Sequence, residues 1–309
     1  MAPSSDPQAF RDALAMSKRV VILAGAGLSA ASGIPTYRDP DGLWKMHSIK
    51  ELATPEGFQA DPSQVWQFYR HRRELCLRAQ PNAAHRALAS LGLPSVRAQL
   101  LPALADPARP PLFITQNIDG LSPRALAALS SQLSPAALKL AEERLIEMHG
   151  SIHTARCLQC KAVTPTPESY PGLSAAASDS ESDAPEALSA ARAEPVGVEA
   201  LPRCGGAWWN GSNRYGRCGG LLRPAVVWFG EAPEGMGEIA KELNWTDLLI
   251  VVGTSSVVRP AAGYAEMVKK RGGRVAVFNL GRSEGDEEAD FLFLGPCEQT
   301  LPAILETVP

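Results

Sequence analysis

The sequence predicts an α/β fold built on a parallel sheet. Three observations carry this. Short aliphatic runs recur at Val20-Val-Ile-Leu23, Leu112-Phe-Ile-Thr115, Leu248-Leu-Ile-Val-Val252 and Val275-Ala-Val-Phe278, apolar throughout as strands buried on both faces are. Stretches of helical spacing separate them, which calls for right-handed crossovers. Several runs end in polar or glycine-rich turns, and in a parallel sheet such turns collect on one edge.

Taken in order, residues 1–18 carry a helical pattern (Phe10, Leu14, Met16) with acids at Asp6 and Asp12, unlike a secretory or transit peptide. The stretch after it organises the chain. A strand from Val20 runs into Gly25-Ala26-Gly27, and small residues Ser29 and Ala30 stand where a helix should begin. Glycines let a backbone approach a pyrophosphate, and a helix start offers N–H groups and partial positive charge. The same glycines also serve any tight turn after a strand for steric reasons alone. Gly33-Ile-Pro35-Thr36-Tyr37-Arg38 then leads on to Trp44, with too many prolines and glycines for a helix or a central strand. A polar loop over the turn follows, which a hydride-transfer enzyme does not need.

A helix is predicted from Pro62 to Leu77, with Tyr69 and Arg72 three apart on one face. Alone, that pair reads first as a solvated basic face with an amphipathic tyrosine. A second helix begins after Pro81, with Asn82 near its cap. The strand at Leu112 ends in Gln116-Asn117-Ile118-Asp119, side chains that reach the ligand edge or simply close an Asx turn. A helical stretch from Ser134 to Arg144 leads to His149-Gly150. A lone histidine before glycine is more often a strand-end residue than a catalyst.

Cys157-x-x-Cys160 with Cys204 and Cys218 supplies four thiolates, the donor set of a closed tetrahedral zinc site that stabilises and does not catalyse. Thirteen residues separate the last two, a wide spacing. Residues 164–200 have the composition of a disordered insertion. A strand is predicted from Leu221 into Val227-Trp228-Phe229-Gly230-Glu231, then one into Gly253-Thr254-Ser255, one ending at Asn279, and a last one, Phe291–Leu294, before Cys297.

A net charge of −3 argues against a nucleic-acid binder working through a broad basic surface, and no run of eighteen apolar residues calls for a membrane span. Six cysteines in a chain of 309 residues do not suggest a disulfide scaffold. A reducing compartment is expected, with cytoplasm or nucleus favoured.

The order of Gly25-Ala-Gly-Leu-Ser29, Gly33-Ile-Pro-Thr-Tyr-Arg38, Thr115-Gln-Asn-Ile-Asp-Gly-Leu121, His149-Gly150, the four cysteines and Gly253-Thr-Ser255 strongly resembles the sirtuins, NAD-dependent protein-lysine deacylases. The likeness runs from about Val20 to about Leu301. Tyr69-x-x-Arg72 and Val227-Trp-Phe-Gly-Glu231 are similar to the sirtuin 5-like (class III) branch. The resemblance implies a Rossmann-like domain with helices on both faces (1–38, 81–150, 224–309), a helical insertion (39–80) and a zinc-binding module (151–223), with NAD and acyl-lysine meeting between domains. It also implies that the acyl oxygen attacks the ribose carbon bearing nicotinamide. His149 then acts as general base on a ribose hydroxyl, Asn117 orders a water and the ribose, and Asp119 holds the nicotinamide amide. Nucleotide contacts are carried to Gly25, Ala26, Gly27, Ser29, Ala30, Gly33, Pro35, Thr36, Tyr37, Arg38, Trp44, Gln116, Ile118, Gly253, Thr254, Ser255, Asn279, Leu280, Gly281 and Cys297. Leu280 and Gly281 stand where close relatives have an acid, so the adenosine contact should differ. Residues 227–231 are expected to pair with substrate backbone. Tyr69 and Arg72 should recognise the carboxylate of a succinyl, malonyl or glutaryl group, since a guanidinium pairs with it bidentately. Through the resemblance mitochondria remain open as the compartment. Rival expectations are a plain deacetylase, a mono-ADP-ribosyltransferase, or a catalytically silent zinc-containing binding module.

Overall fold

The computed structural model describes residues 2–36, 51–166, 196–205 and 218–305, and everything below concerns these. Tyr37, Arg38, Trp44 and most of the 164–200 insertion lie outside them. Nine strands are described: β1 (Val20–Ala24), β2 (Leu112–Thr115), β3 (Leu145–Glu147), β4 (Gly150–Cys157), β5 (Val163–Pro165), β6 (Leu222–Val226), β7 (Leu248–Val252), β8 (Arg274–Asn279) and β9 (Phe291–Leu294). The chain divides into two units, one of Met1–Thr36, Ala79–His149 and Pro233–Pro309, the other of Tyr37–Arg78 and Gly150–Ala232.

In the first unit six strands pair in the order β3-β2-β1-β7-β8-β9, every pair parallel. The chain builds outward from β1 to β3, then returns to the other side of β1 for β7 to β9. The order therefore reverses between β1 and β7, the point at which open α/β sheets bind ligands. Successive side chains point to opposite faces. Val20, Ile22, Leu248, Ile250 and Phe278 join one buried layer, and Val21, Leu23, Leu249, Val251 and Val277 join the other. Both faces need cover, which is why the runs are apolar without alternation.

Helices supply that cover. Pro7–Met16 is started by Asp6, whose carboxylate accepts from Gln8 N at 2.8 Å, and it buries Phe10 and Leu14. Phe10 meets Phe278, Phe291 and Phe293 edge-on, with centroids 5.5, 5.5 and 5.6 Å away. Ala83–Ser90 and Cys297–Leu305 bury Leu88, Leu301 and Ile304 on the same side. Met236–Leu243 and Tyr264–Lys270 cover the opposite face through Ile239, Leu243, Tyr264 and Val268.

The second unit holds helices Pro55–Ala60 and Pro62–Arg78 and an antiparallel sheet in the order β5-β4-β6. Trp66 ties the longer helix to this sheet, its Nε1 donating to Leu222 O at 3.0 Å. Here the structure corrects one expectation. The apolar run at Leu222–Val226 stands in this small sheet, paired antiparallel with β4, and not among the parallel strands. All five of its residues are buried, so its pattern matches that of a parallel strand. A second difference is local: Ala26–Ser32 forms a 3-10 helix ended by Gly33 at φ 80°, where a regular helix start was expected.

Candidate active site

The carboxyl ends of the parallel strands gather the predicted residues. Gly25 follows β1, Gln116 to Asp119 follow β2, His149 lies just past β3, Gly253 to Ser255 follow β7, and Asn279 ends β8. Gly25 and Gly27 interlock with the β7 turn at the switch point. A Cβ on either would lie 2.8 Å from Gly253, and one on Gly253, at φ 59°, would lie 2.3 Å from Leu28 N. Gly25 N donates to Val252 O and Gly27 N to Gly253 O, each at 2.8 Å. Packing alone thus requires glycine at these positions. The outcome still suits a phosphate, because a glycine turn at the switch point lets backbone N–H groups approach an anion.

Ser29 is the hub of the buried polar groups. Its hydroxyl donates to Asp119 Oδ2 at 2.7 Å and accepts from Asn117 Nδ2 at 3.1 Å; that amide also donates to Gly25 O at 3.0 Å. Asp119 Oδ1 accepts from Leu121 N at 2.8 Å. His85 completes the group. Asn82 N donates to His85 Nδ1 at 3.3 Å, so the proton of the neutral ring sits on Nε2, 3.4 Å from Ser29 Oγ. Burial pulls His85 down to about 4, against the attraction of Asp119. Sequence reading missed His85. The available signal was the cap spacing, since Asn82 and His85 form a capping box in which each side chain takes the other's backbone N–H.

His149 Nδ1 is 3.0 Å from the Gln116 carbonyl, which can only accept. The ring's proton is therefore on Nδ1, and Nε2 holds the basic lone pair. Burial lowers its pKa below the ordinary 6.5, with the Gln116 carbonyl opposing. Two residues before it, Glu147 is pushed up to about 7 by burial and then by Asp119. Its Oε1 is buried without a hydrogen-bond partner. Glu147 was also not singled out from sequence.

On the β7 and β8 side, Gln116 Nε2 donates to Thr254 Oγ1 at 3.2 Å, and Asn279 Nδ2 donates to Thr254 O at 3.0 Å and Ser283 Oγ at 2.7 Å. Cys297 is buried against Phe278 O at 3.7 Å. Ile118 is buried, Ser255 is half-buried, and Ala30, Gly33, Pro35, Leu280 and Gly281 are exposed.

In the second unit, Tyr69 and Arg72 project from the helix Pro62–Arg78. Tyr69 is buried and its Oη accepts from Trp228 Nε1 at 3.0 Å. Val227 is half-buried and Phe229 and Gly230 are exposed, while the Glu231 carboxylate turns back to accept from Trp228 N at 2.8 Å. The sulfurs of Cys157, Cys160, Cys204 and Cys218 lie within 4.8 Å of one another. Four thiolates about 2.3 Å from a tetrahedral zinc would stand about 3.8 Å apart, so the cluster fits the ion despite the wide spacing before Cys218. These four would hold the metal with no open position, away from any role in the reaction.

A model of the Sir2 family matches residues 25–260. The chain is 39% identical to an NAD-dependent protein deacylase of Daphnia pulex, over 99% of this chain and 98% of that protein. It is 40% identical to the mitochondrial NAD-dependent protein deacylase sirtuin-5 of Canis lupus familiaris, over 98% of this chain and 86% of that one. Among solved structures, a Sir2 homologue in complex with NAD superposes with a TM-score of 0.71 at 32% identity, covering 99% of this chain and 94% of the other. A Sir2 protein with a deacetylated p53 peptide and 3'-O-acetyl ADP-ribose gives 0.67 at 25% identity, covering 96% of each. With glycine turn, polar hub, histidine and thiol cluster in place and these likenesses running its whole length, the chain belongs to the Sir2 family.

Proposed function

We propose that the protein is an NAD-dependent protein-lysine deacylase that releases nicotinamide, free lysine and an acyl-ADP-ribose. The observation that carries this is the tautomer of His149. A base with its proton fixed on Nδ1 presents Nε2 to a hydroxyl, and it stays unprotonated at neutral pH. NAD supplies the activated ribose carbon that the acyl oxygen attacks. The chain's part is to bind and orient it. The Gly25–Gly27 turn takes the pyrophosphate, and Thr254, Ser255 and Asn279 serve the adenosine side. Asn117 orients the ribose, and Asp119, held by the Ser29 hydroxyl, takes the carboxamide. His149 Nε2 accepts the ribose hydroxyl proton. The zinc ion stabilises the fold of the cysteine-bearing unit and takes no part in the chemistry.

The acyl group we assign is an acidic one: succinyl, malonyl or glutaryl. Tyr69 and Arg72 share a helix face, and a guanidinium with a phenol suits a carboxylate that acetyl lacks. Backbone at 227–231 pairs with the peptide, so substrates are acyl-lysines in proteins of varied sequence. Among the described residues no helix is long and apolar enough to cross a membrane; the sirtuin-5 relatives are named as mitochondrial, and we assign this chain to the same compartment.

Nicotinamide release from succinyl, acetyl and unmodified peptides of one sequence tests both levels. Turnover of succinyl peptide ahead of acetyl is expected. Turnover with acetyl alone means a plain deacetylase, release without any acyl group means ADP-ribosyl transfer, and no release from zinc-loaded protein means a silent binding module. Arg72→Met should lower kcat/KM for succinyl by on the order of a hundredfold more than for acetyl. Equal losses would remove the acidic-acyl assignment.

A further inference from the structure

Tyr69 is held in place by a chain of contacts running through residues 223–231. The indole N–H of Trp228 can only donate, so at 3.0 Å the Tyr69 oxygen accepts. A hydroxyl that accepts one hydrogen bond donates a stronger one, because linked bonds polarise each other. Both side chains are 3% exposed, where that polarisation is not screened by water.

Trp228 is itself clamped. The Arg223 guanidinium lies over its ring, 3.6 Å from the centroid, and the Phe58 ring is 5.3 Å away. The Trp228 backbone N–H donates to Glu231 Oε2 at 2.8 Å. Arg223 grips the same carboxylate with Nη1 on Oε1 at 2.6 Å and Nη2 on Oε2 at 2.7 Å, while Nη2 also reaches Val226 O at 2.7 Å. Burial alone would raise the Glu231 carboxyl, but Arg223 and the Trp228 N–H outweigh it and hold it below the usual range. The clamp is thus ionic throughout the neutral range.

We propose that Trp228, fixed by the Arg223–Glu231 pair, is a positioning residue for acyl-group selectivity, setting the Tyr69 hydroxyl as a donor toward the carboxylate of an acidic acyl-lysine. The inference rests on the acidic-acyl reading of Tyr69 and Arg72. It adds that the segment meeting the peptide backbone also governs the acyl end, through a side chain pointing inward from it.

The test compares kcat/KM for succinyl and acetyl peptides in the native protein, Tyr69→Phe, Trp228→Phe and the double variant. Phenylalanine keeps an aromatic face for Arg223 and removes only the donor and one ring. Trp228→Phe should lower the succinyl-to-acetyl ratio about five- to tenfold, chiefly through the KM for succinyl. The double variant should show no lower ratio than Tyr69→Phe alone, since both act on one hydroxyl. Glu231→Gln, a change at a partly exposed carboxylate, should lower the ratio about two- to threefold by loosening the clamp. A Trp228→Phe variant that slows both substrates equally, or whose ratio loss adds in full to that of Tyr69→Phe, would overturn the inference. If Tyr69→Phe and Arg72→Met leave the ratio unchanged, the acidic-acyl reading falls and takes the inference with it. If they lower it while Trp228→Phe and Glu231→Gln do not, the inference alone falls.

Discussion

Ser29 and Asp119, 90 residues apart in the chain, are joined by a 2.7 Å hydrogen bond in which the hydroxyl donates to Oδ2. The same hydroxyl accepts from Asn117 Nδ2, so one small side chain fixes both polar residues of the β2 end. Ser29→Ala removes the donor from a buried carboxylate and an acceptor from a buried amide. A hydrogen bond to a charged group is worth roughly 1.5–3 kcal/mol, so kcat/KM for nicotinamide release should drop about ten- to hundredfold. A rate equal to that of the native protein would separate this hub from catalysis.

The acid limb of the pH–rate profile should belong to His149. Burial, with the Gln116 carbonyl opposing, leaves its pKa below the ordinary 6.5, and the base we propose acts as the neutral ring. Activity should therefore be flat through neutral pH and fall with a slope of one only below that ordinary value. The profile is best taken with an acetyl peptide, whose acyl group does not titrate. An inflection above pH 7 in kcat/KM would contradict the assignment.

His85 makes a stability prediction of definite sign. Its ordinary pKa is 6.5 and its folded value about 4, so the neutral form is the one the fold accepts. The stability it contributes is complete above pH 6.5 and is lost as pH falls toward 4, by roughly 3 kcal/mol. His85→Gln keeps a side chain that can reach back to the Asn82 N–H, as glutamine does in capping boxes, but cannot take up a proton. Urea titrations at pH 7 and pH 4.5 should show a smaller loss in the variant. A loss as large as the native protein's would place the acid sensitivity elsewhere.

Much of this site was legible as residue types at strand ends, because parallel strands deliver their carboxyl-end turns to one edge whatever the helices do. The cysteines were legible for a related reason: four thiols need a metal or a strong excuse, and spacing does not change that. His85 was not, since nothing in Asn82-Ala-Ala-His85 says which loop the ring will meet; its contact with Ser29 spans 56 residues. The strand Leu222–Val226 was assigned to the wrong sheet because burial on both faces erases the alternation that marks an antiparallel partner. Gly25 and Gly27 carried a double meaning. The structure shows that backbone packing against Gly253 demands them before any phosphate does.

Glu147 shifts in the opposite sense to His85. Burial, then the Asp119 charge, pushes its carboxyl from 4.5 up to about 7, and Oε1 finds no partner. The protonated form is favoured by the fold, so its contribution is complete below pH 4.5 and is lost as pH rises through 7. Glu147→Gln supplies a permanently neutral replacement of nearly the same shape. It should raise the unfolding free energy at pH 8 by up to about 3 kcal/mol and change it little at pH 4. Equal effects at both pH values would mean that packing, not charge, decides this position.

Metal removal should act on the fold of one unit, with activity lost as a consequence. Cys157 ends β4 and Cys160 follows it, Cys204 and Cys218 precede β6, and the four sulfurs meet within 4.8 Å. A zinc ion there closes the sheet β5-β4-β6 across a long connection, and in small metal-stapled units the binding free energy is folding free energy. Chelation at neutral pH should therefore expose the buried Trp66 and Trp228 of that unit, seen as a red shift and quenching of tryptophan emission. The parallel-sheet unit, with its two apolar layers, should keep its helical circular dichroism. Adding zinc should restore both fluorescence and turnover. Cobalt, which takes the same tetrahedral thiolate geometry, should restore them as well with the charge-transfer absorption of four sulfur ligands. Full activity in protein shown by analysis to be free of metal would refute the structural role.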